Sequence, residues 1–337
     1  VRPSDLLRPL TPIYAAVVRA RAQLYRRGWI RRSHASVPVV SVGNLTFGGT
    51  GKTPTTVALV RDLVRRGHRP AIVTRGYGRR DRSPQVLVGP APEATPERVG
   101  DEPLEIALRL PGVPVVVDAD RARGARQAVA CGADVLVLDD GFQHLALARD
   151  LDVVLLDAGD PFGGGRLPPR GRLREPLSAL RRADAVVVTK LAPDDRDTLD
   201  AIRSRVDGIV DGVPVLGASL EISRVRTPDG SHGPDWLQDR RVVAVAGVAR
   251  PGGFLDTLRR AGARIADTRW FPDHHAYRPD DLRWMTDAAR LHDAVVVTTA
   301  KDAVKMPPDA AWVVEVEMTP HGGSWDRLWD LVPGMAS

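Results

Sequence analysis

The chain has 337 residues, enough for about two domains, because single hydrophobic cores stop growing near ~250–300 residues. Apolar residues make up 43% and charged residues 27%, the balance of a globular protein and not of a disordered one. A single cysteine, Cys131, excludes an internal disulfide framework and a cysteine-based zinc cluster, and it suits a reducing compartment.

The formal charge of +6 is unevenly placed. Residues 1–34 hold eight arginines against one acid, Asp5, a charge of +7 that leaves −1 for the other 303 residues. The basic character therefore belongs to an N-terminal arm. Leu6, Leu10, Ile13, Tyr14, Val17 and Leu24 recur there at helical spacing with arginines between them. The longest uncharged run, Pro9 to Val18, is too short for a membrane span, which needs about 20 residues. An apolar stripe flanked by arginine predicts a helix lying in an anionic lipid interface, with packing on the body as the alternative. No basic-plus-aromatic pattern follows elsewhere, so no nucleic acid is expected as a partner. No signal peptide with a cleavage site is visible. Lysine is scarce: Lys52, Lys190, Lys301 and Lys305 stand against 44 arginines.

Beyond the arm the predicted elements alternate. Val37–Val42 reads as a buried strand, followed by a glycine-rich loop and a helix over Pro54–Arg66. Ala71–Thr74 is a strand, the polar, proline-rich 79–99 a loop, and Leu104–Leu110 a helix. Val113–Val117, Val135–Leu138, Val153–Leu156 and Ala185–Thr189 are strands, with a helix at Arg121–Cys131. Residues 159–176 form a long Gly/Pro/Arg-rich loop of the kind that usually carries function, and Leu177–Arg182 a short helix. Strands are expected again at Val215–Ile222, Arg240–Gly247, Ala294–Thr299 and Trp312–Val316, with a helix at Gly253–Ala261. Continuous apolar strands alternating with helices predict an α/β fold with a mostly parallel sheet covered on both faces. The turn-rich stretch after residue 222 suggests three parts: an arm at 1–34, a first domain at 35–222 and a smaller α/β domain at 223–337.

Residues 46–53 read Thr-Phe-Gly-Gly-Thr-Gly-Lys-Thr, after a strand and into a helix, which is the context of a phosphate-binding loop. Thr46, Gly48, Gly49, Thr50 and Gly51 would wrap the phosphates of a nucleotide, Lys52 would meet the β- and γ-phosphates, and Thr53 would offer its hydroxyl to Mg²⁺. The usual first glycine of the motif is Thr46 here. A second element agrees: an apolar strand ends in Asp139-Asp140, an acid pair at the carboxyl edge where parallel sheets bind ligands. Gly100-Asp101-Glu102-Pro103 opens a helix; transfer to an alcohol needs a carboxylate to take the hydroxyl proton, and metal ligands besides. Asp273-His274-His275 is either an acid–imidazole pair or a polar loop.

These residues resemble the tetraacyldisaccharide 4′-kinase family. The resemblance rests on Ser41-Val42-Gly43-Asn44-Leu45-Thr46 running into the phosphate loop, Arg75-Gly76-Tyr77-Gly78, Gly100–Pro103 and Asp139-Asp140-Gly141-Phe142-Gln143-His144. It extends through Leu173-Arg174-Glu175-Pro176, Phe271–His275 and Thr298-Thr299 with Lys301-Asp302, in family order over residues 41–305. It implies a kinase with a P-loop domain and a smaller α/β domain joined by a strand linker. It implies transfer of the γ-phosphate of ATP to the 4′-hydroxyl of a tetraacyl glucosamine disaccharide 1-phosphate, giving lipid IVA, at the cytoplasmic face of a Gram-negative inner membrane. Asp101 would be the base, supported by His274; Glu102, Asp139 and Asp140 would stand near Mg²⁺ with Thr53. Arg75, Tyr77, Gln143, His144, Arg172 and Arg174 would meet the substrate. The implied protein is a peripheral monomer.

An anionic lipid acceptor suits both the basic arm and the arginines at 166, 170, 172 and 174. Two other classes are compatible with a phosphate loop. A GTPase or assembly-ATPase switch is one, but Thr189-Lys190 lacks the Asp two positions on that reads guanine (Ala192). A membrane-docking protein with a purely structural nucleotide site is the other, and it would not need the acid pair at 101–102.

Overall fold

The computed structural model describes residues 10–91, 93–248 and 251–335. A helix, α1 (Leu10–Arg26), precedes the first half, which runs β1 (Val39–Asn44), α2 (Lys52–Arg65), β2 (Pro70–Thr74), β3 (Gln85–Val88), α3 (Pro96–Val99), α4 (Asp101–Arg109) and β4 (Pro114–Val117). It continues through α5 (Arg121–Ala130), β5 (Val135–Asp139), β6 (Leu151–Asp157), β7 (Ala185–Thr189) and α6 (Arg196–Asp207). The second half runs β8 (Val215–Thr227), β9 (Gly230–His232), β10 (Arg241–Ala246), α7 (Pro251–Arg260), β11 (Arg264–Trp270), α8 (Pro279–His292), β12 (Val295–Thr299), α9 (Ala300–Ala303), β13 (Trp312–Pro320) and α10 (Asp326–Trp329).

The strands join in one sheet of order β11-β10-β12-β13-β8-β7-β6-β1-β5-β2-β4-β3, with β9 paired to β8. Pairing is parallel except at β13–β8, β3–β4 and β8–β9. Every residue of β1, β5, β6 and β7 is buried, as expected of strands covered on both faces. The side chains of α2 and α4 build the core on one face; Ala125 and Ala128 of α5 pack on the other. This is the mostly parallel α/β architecture that the apolar runs predict.

Strand β8 changes partner along its length. Val215–Gly217 pair in parallel with β7, and the strand then runs antiparallel to β13 as far as Arg226. The expected boundary after residue 222 falls inside this strand. Beyond β13 the chain returns to the first half, where Trp325, Leu328, Trp329, Val332 and Met335 join the core beneath α2. Trp329 is fully buried, and its indole N–H donates to Asp62 of α2 at 2.6 Å. Residues near the C-terminus thus fasten the phosphate-loop helix.

Several elements go beyond the expected ones. The stretch 79–99 contains β3 and α3, and β9, β11, α6 and α8 were not among the expected elements. In α6 only Ile202 and Val206 are buried among arginines and aspartates, and β11 is an edge strand without a fully buried residue. The expected helix at 177–182 is 3₁₀.

Helix α1 rests on the body through Ala15, the Thr11 hydroxyl on the carbonyl of Pro168 (3.0 Å) and the Tyr14 hydroxyl on the carbonyl of Arg174 (2.7 Å). Ile13 and Val17 are exposed, as is Trp29 just beyond the helix. Leu6 lies outside the described residues. Among those described, no helix is long and apolar enough to cross a membrane.

Candidate active site

The phosphate loop leaves the central strand β1 at its carboxyl end. Gly43 must be glycine: a Cβ there would lie 2.5 Å from Cβ of Phe142, where the loop after β5 packs against β1. Gly51 takes φ +81 as it starts α2, and a Cβ on it would meet the terminal methyl of Met318 at 2.8 Å. The buried Asn44 amide donates to the carbonyl of Thr46 (2.8 Å) and to the hydroxyl of Thr50 (2.7 Å), folding the loop over its own strand. Thr189 at the end of β7 donates to the carbonyl of Thr50 (2.8 Å). Lys190 pairs with Asp157 (2.8 Å) and donates to the carbonyl of Gly49. Thr46 is buried and bridged to Leu173, while Gly48 and Gly49 lie exposed at the loop tip. Lys52 and Thr53 open α2, with the Lys52 ammonium 3.8 Å from Asp140.

Asp139 ends β5 beside this loop. Its carboxylate accepts from the hydroxyls of Thr56 (3.3 Å) and Thr74 (3.2 Å). Burial, then the charges of Glu102 and Asp140, push its pKa up to about 7 against the pull of Lys52 and Arg121. Asp140, at φ +53, behaves oppositely: burial raises its pKa, but Lys52 and Arg174 outweigh it and hold the carboxyl below its ordinary value.

The acids at 101–102 stand at the N-terminus of α4, whose dipole favours negative charge. The second half reaches them through a loop after β11. His274, at φ +61, places Nδ1 3.0 Å from Oδ2 of Asp101. This bond raises the imidazole pKa against burial and Lys301. For Asp101, burial pushes upward, but the His274 bond and the charges of Lys305, His274 and Lys301 bring it below its ordinary value. Lys301 spans Asp273 (2.9 Å) and Glu102 (3.4 Å). Lys305 is buried between Asp302 (2.8 Å) and Asp101 (3.8 Å). The pair Asp101–His274 can hold one proton between carboxylate and imidazole.

The remaining sequence-derived candidates fall around this centre. Arg174 binds both oxygens of Asp140 (2.7 and 2.9 Å) and Oε1 of Gln143 (3.2 Å); Gln143 in turn donates to the carbonyl of Asn44 (3.0 Å). Arg172 pairs with Asp160, and its carbonyl accepts from the N–H of Phe47 (2.7 Å). Tyr77 is exposed, its ring 5.8 Å from that of His274, and Arg75 is exposed at the end of β2. His144 has Nε2 buried without a partner; burial and the nearby guanidinium of Arg121 pull its pKa down to about 4, so it is neutral at pH 7.

Sequence reasoning missed Arg121 and Met318, and it named Lys305 and Asp302 without giving either a role. Arg121 is buried at the start of α5, where burial pulls its pKa down to about 10 and the charges of Asp139 and Asp140 oppose that pull. Scarcity was the available signal for Lys305: all four lysines of the chain make contacts within this one site.

A family model described as tetraacyldisaccharide-1-P 4′-kinase, LpxK, matches residues 3–332. The chain is 45% identical over 308 residues to a tetraacyldisaccharide 4′-kinase of Anaeromyxobacter sp. strain Fw109-5, covering 89% of this chain and 81% of that one. It is 43% identical over 304 residues to that of Gluconobacter oxydans strain 621H, covering 90% and 84%. The crystal structure of LpxK from Aquifex aeolicus in complex with ATP superposes with a TM-score of 0.74 at 30% identity, over 94% of this chain and 95% of that one. By its fold, by the residues gathered at its phosphate loop and by this likeness over nearly its whole length, the chain is a kinase and belongs to the LpxK family, the tetraacyldisaccharide-1-P 4′-kinases.

Proposed function

We propose that the chain moves the γ-phosphate of ATP to the 4′-hydroxyl of a tetraacyldisaccharide 1-phosphate, with Asp101 as the base that receives the hydroxyl proton. The observation that carries this is the 3.0 Å pair of Asp101 and His274, brought together from the two halves of the chain. Asp101 is poorly basic alone. His274 orients Oδ2 and takes up charge as the proton arrives, so the pair accepts a proton that an isolated carboxylate would hold weakly. Lys52 and the backbone N–H groups of the loop would bear on the charge of the transferring phosphoryl group.

Thr53, Asp139, Asp140 and Glu102 offer oxygen atoms only, which suits Mg²⁺. Asp139 supplies the test of fit: a buried carboxyl whose pKa is raised to about 7 beside two other acids would be held ionised by a cation. Among the described residues no three acidic, imidazole or thiol groups stand as a ready-made metal cluster. An ion that keeps several waters and leans on one or two carboxylates plus phosphate oxygens does not require one. When bound, Mg²⁺ would neutralise charge developing between the β- and γ-phosphates.

Arg172 and Arg174 border the loop tip and, with Tyr77, Arg75, Gln143 and His144, are the proposed contacts for the anionic disaccharide. Helix α1, with Ile13 and Val17 exposed and arginines beside them, is the proposed contact with an anionic membrane surface, on the cytoplasmic face of the inner membrane and as a monomer. Incubation with γ-labelled ATP and tetraacyldisaccharide 1-phosphate in mixed micelles tests the reaction. Label is expected in the lipid. Nucleotide hydrolysis that ignores the lipid would favour a switch ATPase instead.

A further inference from the structure

Strand β13 touches the catalytic machinery at three successive residues. The carbonyl of Val316 accepts from the buried guanidinium of Arg109, the last residue of α4, whose other end carries Asp101 and Glu102. Glu317 pairs with Arg61 of α2, the helix that the phosphate loop opens into. The terminal methyl of Met318 fills the space that a Cβ on Gly51 would need. The two arginines are themselves joined, since Arg61 donates to the carbonyl of Arg109 at 3.1 Å.

The local strand geometry serves this meeting. The β13–β8 ladder slips by one residue here: Glu315 faces Arg224 and Val316 faces Ile222, leaving Ser223 as a bulge. Bulges re-aim neighbouring groups and are frequent beside active sites. The guanidinium of Arg109 is 2% exposed and is also bonded to Glu105 (3.1 Å), one turn back on α4. Such a buried charge is costly unless its partners are well placed, so α4 has one favourable seat against β13.

We propose that Arg61, Arg109 and Glu317 form a positioning brace, which fixes the end of α4 against the phosphate-loop helix and thereby sets where Asp101 stands relative to the transferring phosphate. The inference rests on Asp101 being the base. The contacts of the three are with α2, α4 and β13, so they act through those elements. Placement errors near 1 Å at a reacting centre cost about a hundredfold in rate.

The experiment measures kcat and the KM for ATP in Arg61→Met, Glu317→Gln and Arg109→Lys, each also combined with Asp101→Ala. Arg61 and Glu317 are partly exposed, so their variants carry the test if Arg109→Lys fails to fold. Expected are a fall in kcat of about ten- to a hundredfold with KM for ATP within about twofold, and partial recovery in Arg61→Lys. In the Asp101→Ala background the same substitutions should lower the residual rate no further. An equal loss with and without Asp101, or a KM for ATP that rises in step with the fall in kcat, would overturn the brace. A near-normal rate in Asp101→Ala alone would instead overturn the base on which it rests.

Discussion

Asp101 and His274 lie 173 residues apart in sequence and 3.0 Å apart in space, one at the start of a helix in the first half and the other on a loop of the second. The contact is made only when the long strand β8 and its partner β13 carry the second half over the carboxyl edge of the sheet. The proposed chemistry therefore depends on how the halves are joined as much as on the loop that holds phosphate.

If the two residues act as one unit, their losses will not add. Asp101→Ala should lower kcat by about 10²–10⁴, the usual scale for losing a general base. His274→Ala should lower it in the same direction, and the double variant should cost far less than the product of the two losses. Single-turnover rates in mixed micelles decide this, and fully multiplicative losses would remove the dyad.

The same contact has a titration signature. The Asp101 bond raises the His274 pKa, while burial and Lys301 lower it. In Asp101→Asn the bond and charge of Asp101 are gone while burial and Lys301 still lower the pKa and Asp273 alone still raises it, so the imidazole should titrate below its wild-type value. NMR of the labelled ring, wild type against variant, measures it; an unmoved or raised value would refute the assignment. The link to stability has two limits. His274, raised on folding, stabilises below its unfolded pKa, and this is lost as pH rises through the folded value. Asp101, lowered on folding, stabilises above its unfolded pKa, and this is lost as pH falls through the folded value. The pair contributes most between those limits.

Lys52 is held by Asp140 at 3.8 Å at a partly exposed site, a contact of little weight for stability. Lys52→Ala should leave the melting temperature close to wild type while transfer falls by about 10²–10³ or more, since a charge at the phosphates is lost. Lys52→Arg should fail as well, because a planar guanidinium is broader than the ammonium the loop is shaped for. A folded Ala variant with near-normal transfer would disprove the loop assignment.

Deleting residues 1–32 takes away the positive excess and α1 but no residue of the phosphate loop. The truncated protein should lose binding to anionic vesicles and keep its nucleotide affinity. Binding of the intact chain should weaken with salt, as the arginine contribution is screened over about 10 Å at 0.1 M, and leave a remainder from apolar burial. Unchanged vesicle binding after deletion would place the membrane contact elsewhere. Because Thr11 and Tyr14 hold the carbonyls of Pro168 and Arg174, transfer should also slow in the truncated form.

What could be read from residues alone follows from how locally each feature is encoded. The inner strands were legible because burial on both faces demands unbroken runs such as Val135–Leu138 and Ala185–Thr189. The phosphate loop was legible because it needs glycine where Gly51 adopts φ +81 and lysine at the position after it. Helix α6 was not, since its inward row is only Leu199, Ile202 and Val206 amid arginines and aspartates. Nor were Arg109 and Glu317: nothing near either in sequence announces a partner on another strand or helix. Lys190 is instructive, because as a remnant of a guanine-reading motif it looked incidental. In the structure it bonds the loop at the carbonyl of Gly49.

All four lysines converge on the site, and every other basic side chain of the chain is arginine or histidine. Guanidinium does not react with the acylating reagents that attack primary amines, so to such a reagent this protein is nearly blank outside its own cleft. Immobilising it through side-chain amines, fixing it with an amine cross-linker or exposing it to an acetyl donor would, among side chains, act only at these four lysines. The same economy makes those four amines a built-in reporter, with bound nucleotide shielding the one at position 52.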